Sequence, residues 1–250
     1  MNRSLTVIVP ALNEEANIED TVKNILPAIG NRFDDYEIIL VDDGSTDQTG
    51  HIMDELSKEV PAIRVVHNGR NRGFGYSSNR GVELARMEYV ATLPGDNEIH
   101  FTTINEMFRL VGTADIIIPY TVNTEVRPRL RRIITNLYTV TMNLLFQFNL
   151  FYYSGPPVHK RENLHKLTVK TNKFAFISSA LIQLILSGHS FVEVPMYLNV
   201  RTHGKSKALT FRNMVDAVMT TARVVWEVKF SQHRGKYKSF PTKRVIPENW

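Results

Sequence analysis

Over the first 120 residues, short runs of aliphatic and β-branched residues recur at regular intervals. Between them lie segments in which apolar positions return every three or four residues. The runs Leu5–Val9, Tyr36–Val41, Ile63–His67, Tyr89–Leu93 and Asp115–Pro119 predict strands, and the segments between them predict amphipathic helices. This alternation predicts an α/β fold with a mostly parallel sheet flanked by helices. Beyond Tyr120 the pattern changes. A basic loop, TVNTEVRPRLRR, runs into an apolar helix from about Arg131 to Phe151. A second helix is expected over Phe174 to Leu186, a strand over Phe191 to Val200, and an amphipathic helix over Leu209 to Val228, followed by an irregular basic tail. The expected organisation is one domain over residues 1–208, with the C-terminal amphipathic helix and tail over 209–250.

Each early strand ends in polar residues. The first runs into Pro10, Asn13, Glu14 and Glu15, and the second into Asp42, Asp43, Gly44, Ser45 and Asp47. The third runs into His67, Asn68, Arg70, Asn71 and Gly73, and the fourth into Gly95, Asp96, Asn97 and Glu98. In open α/β sheets ligands bind beyond the carboxyl ends of the strands, so the four clusters predict one acidic cleft. Helix capping by Ser45 or Asp47 accounts for one or two of these residues, but not for four sets together. The first turn lacks the glycine patterns of dinucleotide-binding and P-loop proteins, which argues against both classes.

Composition narrows the chemistry. At 250 residues and 43% hydrophobic, the chain is long enough for one sizeable core. It has no cysteine, so a disulfide framework, a thiolate nucleophile and a thiolate metal site are excluded. The apolar run at the N-terminus is broken by Pro10 and Asn13, too early for a signal peptide, and a cytoplasmic location is expected. The helix from Arg131 carries Thr, Asn and Gln throughout and falls short of a spanning segment. It reads either as an interfacial helix with Arg131 and Arg132 near headgroups or as a helix buried against the domain. From Asn199 onward there are eleven Lys and Arg against three Asp and Glu, so the basic character sits at the C-terminal end. An anionic membrane surface, an acidic substrate or plain solvation each account for such an end. The tail lacks interleaved stacking aromatics, and nucleic acid is not expected.

The segments VIVPALNEE, IILVDDGSTDQT and NRGFGYSSNRGVELA, and the carboxylate-bearing turn after YVATLP, together resemble the family 2 glycosyltransferases of the GT-A fold. Further on, YSGPPVHKREN, FVEVPMYLNVR and THGKSKAL are similar to the polyprenyl-phosphate glycosyltransferases, the group of the dolichol-phosphate mannose synthases. The likeness extends to about Leu209. It implies a GT-A (Rossmann-like) domain and an inverting transfer from a UDP- or GDP-linked sugar to a polyprenyl phosphate. It also implies Mg²⁺ or Mn²⁺ as cofactor and peripheral contact with the cytoplasmic membrane face.

Matched residue by residue, the resemblance places Pro10, Leu12, Glu14, Asp42, Asp43 and Asp96 around the nucleotide-sugar, with Arg72 and Asn79 bordering the pocket. A nucleoside diphosphate leaving group calls for a hard cation, and oxygen ligands are expected for it. Where the family carries Asp-x-Asp, this chain has Pro94-Gly95-Asp96-Asn97-Glu98, so Asp96 and Glu98 are the expected metal ligands. Asp96, Arg131 and Arg201 are the expected catalytic residues. Arg127, Arg132, Lys205 and Lys207 are expected to hold the acceptor phosphate, with Arg129 and His203 in the same two cationic sets. The chain departs from the mannose-synthase pattern at Phe151, at Gly155-Pro156-Pro157 and at Ser179, where acidic or basic residues are usual. An anionic phosphate acceptor needs no general base, whereas a saccharide hydroxyl does, with His159 or His203 as fallback polar groups. Transfer to a saccharide and non-catalytic nucleotide-sugar binding are the alternatives.

Overall fold

The computed structural model describes residues 3–169, 171–173, 175–200, 211–231 and 243–246. Strands β1 (Ser4–Ala11), β2 (Asp35–Asp42), β3 (Ile63–His67) and β4 (Tyr89–Thr92) alternate with helices α1 (Ile18–Ile29), α2 (Thr49–Glu59) and α3 (Phe74–Leu84). Then follow α4 (Phe101–Arg109), β5 (Ile116–Thr121), a 3₁₀ turn (Thr124–Val126), α5 (Arg129–Phe146), β6 (Val158–Lys160) and α6 (Arg161–His165). Helix α7 (Phe176–Leu186), β7 (Phe191–Met196) and α8 (Phe211–Lys229) complete the order. The seven strands form one sheet in the order β3-β2-β1-β4-β6-β5-β7, parallel except for β6.

The middle strands are apolar on both faces because both faces are covered. In β1, Leu5, Val7 and Val9 meet the α1 and α4 side chains Val22, Ile25, Met107 and Phe108, while Ile8 packs with Ile39, Val41 and Val90 toward α3. Each of these buried aliphatic side chains contributes roughly 2 kcal/mol relative to exposure. A second apolar cluster joins Ile116 and Ile118 of β5 to Met142 of α5, Leu181 and Ile182 of α7, and Val224 of α8. Helix α8 therefore packs into the core beside the sheet.

All five early strands lie within a residue or two of the expected bounds. Strand β6 was not foreseen: three residues, Val-His-Lys, insert antiparallel between β4 and β5, pairing Val90 with His159 and Ile117 with Val158. The helix expected to reach Phe151 stops at Phe146, because Gln147 takes a left-handed conformation (φ 58°). The Asn143 carboxamide oxygen then accepts from the Leu150 amide and the Tyr153 hydroxyl, which fixes the exit. The expected strand to Val200 is paired to Met196. Its continuation bends toward β4, with the Tyr197 carbonyl accepting from the His100 amide and the Asn199 amide donating to the Glu98 carbonyl. Part of the tail is ordered against the sheet: Phe191 donates to the Lys243 carbonyl and accepts from the Val245 amide. Among the described residues no helix is long and apolar enough to cross a membrane.

Candidate active site

Chain order reverses between β1 and β4. From β1 the chain moves outward to β2 and β3 on one side, then returns to place β4 on the other. The loops leaving the two strands diverge there and open a crevice. An open cleft of about 690 Å³ lies at that point, and all four early strand ends contribute to it: Pro10, Leu12 and Glu14, then Asp43, then Asn71 to Gly73, then Pro94 to Asp96 and Glu98. Arg127, Arg131 and Tyr152 line it from the second half of the chain.

The strand ends are locked to one another. Asn13, itself left-handed (φ 55°), accepts from the Thr46 amide at 2.8 Å and donates its own amide to Ser45 Oγ at 3.0 Å. Glu15 accepts from the Gln48 amide at 2.9 Å, and the Glu14 amide donates to Thr49 Oγ1 at 2.8 Å. Asp47 accepts from the Thr49 amide from one position before the N-cap Gln48, which has no side-chain cap of its own, and Ser45 serves the β1 loop instead. Gly44 adopts φ 76° and lies directly on the Arg70 backbone, a position closed to any side chain.

Asp43 is almost fully buried, and its carboxylate organises the loop after β3. Oδ1 accepts from Asn68 Nδ2 (2.9 Å), the Arg72 amide (2.9 Å) and Ser77 Oγ (2.8 Å), and Oδ2 accepts from the Gly73 amide (2.7 Å). Asp43 thus presents the Asn71–Gly73 segment to the cleft. Asp42, expected beside it in the pocket, is not brought there. Successive strand residues point to opposite faces, and Asp42 is held by the Ser45 amide and by His67 Nδ1 at 3.0 Å. Burial opposes its charge, but the hydrogen bonds from His67 and Ser45 outweigh it and keep the carboxyl below its ordinary range. Arg72 lines the cleft and stacks over the Tyr76 ring, with its guanidinium carbon 4.4 Å from the centroid. Asn79 is not brought to the cleft; it bonds the Thr171 carbonyl and the Asn172 side chain.

The β4 turn is built for close approach. A Cβ on Gly95 would stand 2.7 Å from Ala11 Cβ, and the Gly95 amide donates to the Pro10 carbonyl. Asn97 is left-handed (φ 52°), accepts from Asn24 Nδ2 through its side chain and from Asn199 Nδ2 through its carbonyl. Asp96 Oδ1 accepts from the Glu98 amide at 3.2 Å, and both carboxylates line the cleft. Among the described residues no cluster of three His, Asp or Glu forms a closed metal site. Two oxygen donors on an open cleft nevertheless fit a hard cation whose remaining ligands come from substrate phosphates and water.

Arg131 is half-buried in the cleft wall. Burial, then the neighbouring Arg127 charge, lower its pKa, while Tyr152, Glu98 and Asp96 act in the opposite sense. Arg127 donates to Tyr152 Oη at 2.9 Å. Arg132 and Arg129 are not brought to the cleft; helical geometry turns them to a second, smaller cavity. Arg201, His203, Lys205 and Lys207 lie outside the described residues. His159 is no fallback base: it is buried inside the sheet on β6, and burial, then the charge of His189, push its pKa down to about 3. Phe151 is exposed and packs on Tyr120 (centroids 4.9 Å apart), and Ser179 is buried with Gln183. Sequence reasoning missed Tyr152, and it missed Lys173 and Asp216, which line the cleft as an ion pair at 2.6 Å. The pair spans 43 positions and only packing brings it together.

The family model for glycosyl transferase family 2 matches residues 6–177, the segment that builds this cleft. The chain belongs to glycosyl transferase family 2. It is similar to glycosyltransferase GlyG of Streptococcus pneumoniae, 31% identical over 115 residues, which is 46% of this chain and 37% of that protein. It is also similar to a dodecaprenyl-phosphate galacturonate synthase of Rhizobium johnstonii, 36% identical over 93 residues, 37% of this chain and 28% of that protein. The matches thus span about a third of the length of these curated relatives. Among solved structures, glucosyl-3-phosphoglycerate synthase from Mycobacterium tuberculosis, in complex with Mn²⁺, UDP and phosphoglyceric acid, shares the fold. The TM-score is 0.65 at 20% identity, covering 89% of this chain and 78% of that one.

Proposed function

We propose that this family 2 chain is a metal-dependent, inverting glycosyltransferase that moves a sugar from a nucleotide-sugar to a polyprenyl phosphate. The observation that carries the reading is the pairing, in one cleft at the β1/β4 switch, of the Asp96–Glu98 turn with Arg127 and Arg131. Support comes from the names of relatives: one is a dodecaprenyl-phosphate galacturonate synthase, and a dolichyl-phosphate beta-glucosyltransferase of Dictyostelium discoideum is also similar. The fold relative binds UDP with Mn²⁺.

In this reading Pro10, Leu12, Glu14 and the Asn71–Gly73 loop seat the nucleoside, and Asp96 and Glu98 hold Mg²⁺ or Mn²⁺. When bound, the ion takes up negative charge on the leaving diphosphate. Arg127 and Arg131 hold the acceptor phosphate, whose oxygen attacks the anomeric carbon as the bond to the β-phosphate oxygen breaks, inverting that carbon. The nucleophile is already anionic, so no side chain has to remove a proton; positioning and charge neutralisation suffice. Peripheral membrane contact belongs to the same proposal. Leu130, Ile133, Leu137, Val140 and Leu144 form an exposed apolar stripe on α5, beginning at Arg129.

The test is nucleoside diphosphate release from UDP- and GDP-sugars with Mg²⁺ or Mn²⁺, with and without a short-chain polyprenyl phosphate. Release that needs both the metal and the lipid phosphate is expected. Transfer only to saccharides, or nucleotide-sugar binding without turnover, would overturn the reading.

A further inference from the structure

Strand β7 is an outer edge of the sheet, and the C-terminal tail meets its free side. Phe191 donates to the Lys243 carbonyl at 2.9 Å and accepts from the Val245 amide at 2.7 Å, and Val245 packs on the main core. Arg244 lies between these two anchors. Its guanidinium pairs with the Glu193 carboxylate and donates to the Asn149 carbonyl. It also lies over the Phe151 ring (5.2 Å to the centroid) and the Phe191 ring (5.7 Å).

Glu193 is almost fully buried, and among the described residues Arg244 is its one ion-pair partner. Burial raises its pKa, while the Phe151 amide and the Arg244 charge favour the carboxylate. Tyr120 of β5 and Tyr153 are the other titratable groups facing it. A buried carboxylate that loses its cation either takes up a proton or moves toward water.

The same carboxylate holds the chain beside the cleft. Glu193 Oε1 accepts from the Phe151 amide at 2.7 Å, fixing the backbone one residue before Tyr152. Tyr152 is buried, lines the cleft, and accepts through Oη from Arg127 Nη1 at 2.9 Å. A line of contacts thus runs from the tail, through Glu193 and the Phe151–Tyr152 backbone, to a guanidinium in the cleft wall.

We propose that Arg244 is a positioning residue for the transfer reaction: paired with Glu193, it holds the Phe151–Tyr152 backbone and through it sets Arg127 in the cleft. The inference rests on the reading that Arg127 holds the acceptor. It makes the acceptor side of the cleft depend on Lys243 to Val245, none of which lines it.

The first arm of the test is independent of transfer. Amide hydrogen exchange of the segment from Phe148 to Tyr153 is read on the whole chain without substrate. The parent is compared with Arg244→Met, Arg244→Lys and the double variant Arg244→Met/Glu193→Gln. Gln keeps an acceptor for the Phe151 amide and removes the unpaired charge. Exchange should rise roughly tenfold or more in Arg244→Met, less in Arg244→Lys, and return toward the parent in the double variant. Unchanged exchange in Arg244→Met, or no recovery in the double variant, overturns the proposal. If Arg244→Met does not fold, exchange in Arg244→Lys equal to the parent overturns it. The second arm is steady-state transfer to a short-chain polyprenyl phosphate. In Arg244→Met the acceptor KM should rise roughly tenfold, with kcat and UDP affinity close to the parent. That excess over the parent should shrink as pH falls, because protonation of Glu193 removes the unpaired charge, and the double variant should show no such trend. Faster exchange with an unchanged acceptor KM, in a parent that transfers, overturns the link to the cleft. A parent that transfers nothing to polyprenyl phosphate refutes the acceptor reading instead, and the exchange arm still decides whether Arg244 holds the segment.

Discussion

The substitution Asp43→Asn tests the central structural claim, that one buried carboxylate holds the loop at the edge of the cleft. The side chain keeps its size but exchanges one oxygen for an NH₂ group. With its oxygen turned toward Asn68, Arg72 and Ser77, the NH₂ faces the Gly73 amide, now 2.7 Å from an acceptor. Turned the other way, it faces three donors instead of one. At best one charge-assisted hydrogen bond is lost and three become neutral, a cost of about 2–4 kcal/mol. For a chain of this size that lowers Tm by roughly 5–15 °C. Asn71 to Gly73 line the cleft, so nucleotide affinity should fall with stability, by roughly tenfold. Circular dichroism melting and calorimetric titration with UDP and GDP read both effects. A Tm within about 2 °C of the parent, together with unchanged nucleotide affinity, would show that the loop is held by something else.

Burial holds the His159 pKa at about 3, against an ordinary 6.5, so the unfolded chain binds the extra proton first and stability falls as pH drops from 6.5 toward 3. The loss reaches up to about 2 kcal/mol by pH 5, and His159→Leu should remove it; an identical drop in denaturant midpoint between pH 7 and 5 for parent and variant would contradict the assignment. Gly95→Ala drives a methyl group into Ala11 and should cost about 1–3 kcal/mol, while Ala11→Gly in the same chain should restore most of it, as a double-mutant cycle would measure. Asp96→Asn should abolish the gain in nucleotide affinity that Mn²⁺ brings, read by calorimetric titration with and without the metal; a persisting metal-dependent gain would point to other ligands.

How much of this was legible in the sequence depended on the range of the interaction. Strands β1 to β5 and the polar strand ends were readable because burial on both faces writes a local apolar run, and each run ends where the chain meets solvent. The recurring motifs located the cleft for the same reason. Strand β6 left no such signal: Val158 to Lys160 are too few to show a period, and their place between β4 and β5 depends on contacts with residues about 40 and 70 positions away. Asp42 and Asp43 were equivalent as neighbouring aspartates. The pleat of β2 separated them, sending one toward His67 and the other toward the cleft loop. The arginines after β5 read as one cationic set. The pitch of α5 divided them, leaving Arg131 in the cleft and turning Arg129 and Arg132 to a second cavity. The sequence by itself determined the α/β class, the family and the acidic cleft, because these follow from local periodicity and adjacent motifs. Only the tertiary structure decided which carboxylate faces the cleft and which guanidinium faces which cavity, because side-chain direction is set by pleat, pitch and packing against distant parts of the chain.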